Sequence, residues 1–185
     1  MRSLPWPERW LSRFPRARFV ETSRLAVDSF QIFGIQLTLS FVVYGLLAKW
    51  YVAPLLDRLQ PHNALIALVF PHALRHLGLT ILVPVVVDPS FPREWSVPMA
   101  IGDVIAQLLA LACLVALRSR ASVAIGLLWI FNVFGLLDLV FVMAQGIRLD
   151  VTRFHFGAFW FLSTFWLPVL VISHVLIFRR LLYRR

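Results

Sequence analysis

The apolar residues of this chain come in long, nearly unbroken blocks rather than in alternating or one-faced patterns. Five such blocks follow one another: 29–48, 64–87, 98–117, 121–144 and 155–178, of 20, 24, 20, 24 and 24 residues. An α-helix rising 1.5 Å per residue needs about 20 apolar residues to cross a hydrocarbon layer, so each block predicts a spanning helix. The second is interrupted by Pro71, Arg75 and Pro84. Neighbouring helices can satisfy the carbonyls that a proline frees, so the interruption does not remove it from the count. The connections at 57–63, 88–97, 118–120 and 145–154 leave no room for a further domain, and no internal repeat is visible. The expected fold is an all-α, five-helix transmembrane bundle over 29–178, between basic tails at 1–28 and 179–185.

Within the first tail, Trp6, Trp10 and Phe14 recur every four residues and Arg9, Arg13 and Arg16 take another face. That is the pattern of a short amphipathic helix lying among lipid headgroups, and a disordered basic tail is its alternative. Pro5, Pro7 and Pro15 hold such a helix to about two turns. In the third block Gly102, Ala106 and Ala110 form a small-residue stripe that permits close helix contact, which places that helix centrally. Trp50, Tyr51, Trp95 and Tyr183 fall at block ends, where interfacial aromatics belong.

Composition strengthens the membrane reading. Hydrophobic residues make up 60% of the chain and charged residues only 15%, far from the balance of soluble domains. The formal charge of +9 is almost all arginine. Because those arginines sit in tails and loops, anionic lipid headgroups are the expected partner, and nucleic acid is not. Lys and Arg divide nine against eight between the two sides, so loop charge sets no orientation. The basic tail, synthesised first, favours a cytoplasmic N-terminus, and the expected location is a bacterial inner (plasma) membrane. Cys113, the lone cysteine, reads as a small buried hydrophobe.

The polar residues inside the blocks carry the candidate chemistry, because ionisable groups there are costly to insert. They are His72, Arg75 and His76 in the second helix, Asp103 and Gln107 in the third, Asn132 and Asp138 in the fourth, and His174 in the fifth. With a helical rise throughout, Arg75 and His76 fall at mid-depth. Asp103 and Asp138 lie about 7 and 8 Å off centre, displaced to the same side. Arg75 can therefore fork onto one or both carboxylates. Three- and four-residue spacing puts His72, Arg75, His76 and Leu79 on one face of helix two. Arg75, His76, Asp103 and Asp138 are then the catalytic candidates. His72, Gln107, Asn132 and His174 are the ligand-binding ones.

Several chemistries are disfavoured. His72-Ala-Leu-Arg-His76 has the spacing of half a metal site, but Ala73 stands where a zinc protease needs glutamate and Arg75 repels a dication. Haem between His72 and His174 requires rings at one depth, and the helical rise separates them by about 7 Å. No metal site is therefore expected, and no cofactor is named. What remains is a polar pocket among 16 phenylalanines and several tryptophans, suited to a lipid-soluble molecule with one polar end, such as a quinone or an isoprenoid. The same residues would serve proton exchange with that ligand. They would also serve a small proton-coupled transporter, for which a homodimer would supply the second half. A buried network that only fixes helix register is the third reading. The stretch Phe-Asn-Val-Phe-Gly-Leu-Leu-Asp at 131–138 stands out as a motif without an assigned activity.

Overall fold

A computed structural model describes residues 28–183. The amphipathic segment expected over the first tail and the last two arginines lie outside the described residues. The described chain is helical, with no strand among those residues. Five helices are long and apolar enough to cross a membrane: α1 (Ser29–Asp57), α2 (Pro61–Leu82), α3 (Arg93–Arg118), α4 (Ala124–Arg148) and α5 (Phe159–Leu182). They run up and down with short connections. α3 packs along α2 and α4, and α5 packs against α1, α2 and α4. The alanine–glycine stripe explains that central position: Gly102, Ala106 and Ala110 are buried, so neighbouring backbones approach closely.

Within the five spanning helices, three stretches leave α-helical geometry, each beside a proline. π turns occupy Ala48–Val52 and Leu162–Trp166, two residues ahead of Pro54 and Pro168. Proline has no N–H to close an i→i−4 bond, and a wider turn absorbs the defect. The third is Phe70–Leu82, a 3₁₀ helix that contains Pro71. It is unusually long for that geometry, and its three-residue repeat aligns His72, Arg75, Gly78 and Ile81 on one buried face.

Two apolar clusters fill the bundle's ends. At the end holding the α1–α2 and α3–α4 turns the core is aliphatic, built from Leu65, Leu68, Val69, Cys113, Leu128 and Ile177 among others. At the opposite end it is aromatic. Phe91 meets Phe156 edge-on at 5.1 Å and stacks on Trp95 at 5.4 Å. Trp95 is buried there and donates its indole N–H to Val142 O at 3.0 Å, so it is a core residue and not the interfacial one its place at a block end suggested. The two loops at this end are joined by a bond from Asp88 N–H to His155 O at 2.8 Å. Asp88 also accepts two bonds from Ser90, of 2.6 and 2.8 Å, which hold its carboxyl below the ordinary carboxylate range.

The first helix differs from the block 29–48 by continuing through Lys49, Trp50 and Tyr51 to Asp57. It is apolar all round and mostly exposed, with Ser40 and Ala48 as its buried positions before the first π turn ends. Its attachment to the bundle is local. Trp160 donates its indole N–H to Gln36 Oε1 at 2.6 Å, and Phe33 meets the Trp160 ring edge-on at 5.3 Å.

Candidate functional site

Between the aliphatic and aromatic ends lies a polar layer centred on Arg75. Arg75 as a whole is 1% exposed. Its Nε donates to Asp103 Oδ1 at 2.7 Å, Nη2 donates to Asp138 Oδ2, and Nη1 reaches Gly135 O at 3.4 Å. One cation from α2 thus holds carboxylates from α3 and α4 together. Arginine suits this role because its planar fork serves partners in two directions.

A second pair of contacts is built around two imidazoles. His72 Nε2 lies 3.3 Å from Ser173 Oγ, whose own hydrogen goes to Leu68 O. A hydroxyl has one hydrogen to give, so His72 Nε2 is the donor and Nδ1 carries the lone pair. Asn132 Nδ2 donates to His174 O at 3.2 Å, which turns its Oδ1 toward His174 Nδ1 at 2.8 Å. That nitrogen therefore donates, and Nε2 carries the lone pair of the neutral ring. Both bare nitrogens, His72 Nδ1 and His174 Nε2, are buried without a partner among the described residues. The two rings lie 4.1 Å apart between centroids, against the Phe131 ring at 5.0 and 5.2 Å.

Glycines make this density possible. A Cβ at Gly78 would fall on the Asp103 carboxylate, one at Gly102 on Asp138 Oδ1, and one at Gly135 within 2.7 Å of His174 Nε2. Each polar side chain rests on a neighbouring helix where a side chain is missing. The stretch 131–138 then becomes intelligible. Asn132, Gly135 and Asp138 stand three residues apart along one face of α4, with Phe131 four residues before Gly135, and each touches the polar layer.

The structure thus gathers Arg75, Asp103, Asp138, His72, Asn132 and His174 into one layer, and leaves two candidates outside it. His76 is exposed. The four-residue spacing that placed it beside His72 assumed an α-helix, and in a 3₁₀ helix the fourth residue turns about 120° away from that face. Leu79 is exposed for the same reason. Gln107 is half-buried, and no hydrogen bond among the described residues involves its side chain. The 3₁₀ rise of about 2.0 Å per residue also removes the depth offset expected between His72 and His174. Their rings touch, which leaves no gap for a haem plane between them. Among the described residues no three His, Cys, Asp or Glu side chains converge where they could hold a metal ion.

A cavity of about 240 Å³ adjoins the layer on its aromatic side. Arg75, Gly78 and Asp103 line it where it meets the polar layer. Its walls come from Phe33 and Gly34 of α1, Met99 of α3, Leu139 of α4 and Trp166 of α5. That volume corresponds to roughly eight waters of liquid, or one ring with short substituents. Trp166 escaped the sequence reading, since nothing marks a tryptophan before a proline as an inward one. Gly78 and Gly135 left a weak signal, each three residues beyond a polar residue of the layer (Arg75, Asn132).

The sequence family described as Domain of unknown function (DUF8737) matches residues 32–182. The chain belongs to that family. The matched segment takes in all five helices almost whole, with every residue of the polar layer. No curated protein and no solved structure matches the chain.

Proposed function

We propose that this chain is an integral membrane protein that binds a hydrophobic molecule by its polar end and exchanges a proton with it through Asp103. The observation that carries the reading is that an apolar cavity ends on Arg75 and Asp103, two charged groups held in place from behind. Apolar walls with a few convergent polar groups are the usual form of a small-molecule site. Two carboxylates around one guanidinium leave the trio with one negative charge in excess. A proton taken up by Asp103 brings it to neutrality, and Arg75 stays bonded to Asp138 throughout. Ligand and proton thus meet at one side chain, within hydrogen-bond reach of the same cation. The bilayer and its anionic headgroups are the surroundings this reading assigns to the apolar helices and their arginine-rich ends.

Membrane residence is checked by resistance of the expressed protein to alkaline carbonate extraction. The site is checked by extracting detergent-purified protein with organic solvent and identifying co-purified lipids by mass spectrometry. A neutral lipid in near-stoichiometric amount is expected. It should be absent from Gly34→Phe, because Gly34 lines the cavity and a Cβ there meets nothing within 4 Å. The ring would then fill the space without disturbing the helix contacts. Equal lipid content in the two proteins would dispose of the cavity as the binding site.

A further inference from the structure

The polar groups that this cavity offers a ligand are turned to accept hydrogens. Arg75 has no side-chain exposure and the Trp166 N–H is buried, so neither is reached from it. Asp103 is reached: 12% of its side chain is exposed, Oδ1 is held by Arg75 Nε, and no hydrogen bond among the described residues engages Oδ2. Oδ2 lies over Gly78, where a Cβ would fall on it, and Gly78 lines the cavity beside Asp103. The other polar side chains in the wall have spent their hydrogens. Ser163 Oγ donates to Phe159 O at 3.2 Å, Thr152 Oγ1 to Asp150 Oδ1 at 3.3 Å and Trp95 Nε1 to Val142 O at 3.0 Å.

The cavity also opens sideways. Phe30 of α1 and Ile147 of α4 both line it and are both exposed, so it reaches the outer surface between those helices. α1 is fastened instead to α5 and to the turn at Val151–Arg153. A volume of about 240 Å³ takes one ring, and a longer tail leaves through this opening into the surrounding lipid.

We infer that the ligand's polar end is an uncharged aromatic hydroxyl, as in a phenol or a quinol, and that its hydrogen goes to Asp103 Oδ2. This rests on the cavity being the binding site, as proposed above. A carboxylate oxygen only accepts, so an end without a hydrogen, such as an ether or a ketone, finds no partner here. An ammonium brings three hydrogens to one free carboxylate oxygen and leaves others unpaired among apolar walls. A hydroxyl brings one. Aromatic hydroxyls ionise at about pH 10, far closer to a carboxylic acid than aliphatic alcohols, so the hydrogen can cross to Asp103 and back. In that step the ligand's O–H bond breaks, its electron pair stays on the phenolic oxygen, and an O–H bond forms at Oδ2. The negative charge passes from the trio to the ligand with the total unchanged, and Oδ1 goes on accepting from Arg75 Nε.

The test measures binding of four probes with one tail, 4-decylphenol, 4-decylanisole, 4-decylbenzylamine and decylbenzene, to the full chain in lipid nanodiscs. The phenol should bind about tenfold tighter than the anisole, which keeps the oxygen and loses the hydrogen. In Asp103→Asn the amide oxygen stays with Arg75 Nε and the amide nitrogen takes the place of Oδ2, so the cavity presents a donor. Phenol and anisole should then bind alike, and unchanged decylbenzene affinity shows that the variant is folded. Should it fail to fold, the wild-type comparison of phenol with anisole decides alone. Anisole as tight as phenol on the wild-type chain, a preference for phenol that survives Asp103→Asn, or benzylamine tighter than phenol overturns the inference. If in that case Gly34→Phe still abolishes binding of every probe, the cavity reading stands without it. Failure of every probe to bind the wild-type chain overturns both.

Discussion

The aliphatic and aromatic ends of this bundle bury comparable runs of hydrophobic residues and pack them differently. At the aliphatic end Ala64, Ala110 and Cys113 let the helices close on one another, and leucines fill what is left, with Leu128 and Ile177 fully buried. A second cavity of about 240 Å³ lies at the helix termini of that end, lined by Leu56 and Leu65 and by the charged side chains of Asp57, Arg179 and Arg180. At the aromatic end Phe91, Trp95, Phe156 and Phe159 meet edge-on, tilted or stacked, with centroids 5.1–6.5 Å apart. Rings in those orientations are rigid and do not interdigitate as leucine and alanine do. Space survives beside them, and the polar layer borders it. The cavity is thus a consequence of which apolar residues are used, as well as of how many.

The largest effect expected from breaking this arrangement comes from its boundary. Arg75→Met leaves Asp103 and Asp138 buried without their cation. It should lower stability by about 3–5 kcal/mol, read by denaturant titration in detergent. Adding Asp103→Leu to it should recover part of the loss, because one stranded carboxylate is removed. No recovery would mean that the trio is not the unit described here.

The contrast between the ends is measured more directly by truncation. Leu128→Ala empties a fully packed position and should cost about 4 kcal/mol. Leu139→Ala lines a cavity that already exists, so it removes fewer contacts and should cost about 2 kcal/mol. Equal costs in the same titration would argue that the aromatic end is as tightly packed as the other. The smallest expected effect sharpens the geometry of α2. His76→Ala should change stability by no more than about 0.5 kcal/mol, since the side chain is exposed, whereas His72→Ala removes the donor to Ser173 Oγ and opens a buried space. A large loss from His76→Ala would favour an α-helical α2 with His76 turned inward.

Much of this was legible in advance. Five apolar blocks became five helices because length and hydropathy are summed along the chain and need no partner to be read. Arg75, Asp103 and Asp138 could be placed at similar depths for the same reason, helix by helix. His76 was misplaced because a face is not a sum. It depends on the residues per turn, and the change from 3.6 to 3.0 beside Pro71 reassigns every position after it.

By itself, then, the sequence determined the number of helices, their order and the stock of polar groups they would have to shelter. Tertiary structure decided which of those groups meet. It set His72 against His174, stood Asp103, Asp138 and His174 on glycines of neighbouring helices, and buried the Trp166 N–H with no partner among the described residues. The physical reason is that hydrophobicity acts on each residue alone, whereas a hydrogen bond or a ring contact requires two groups within about 3–5 Å. Only packing brings residues 28 to 101 positions apart in the chain to that distance.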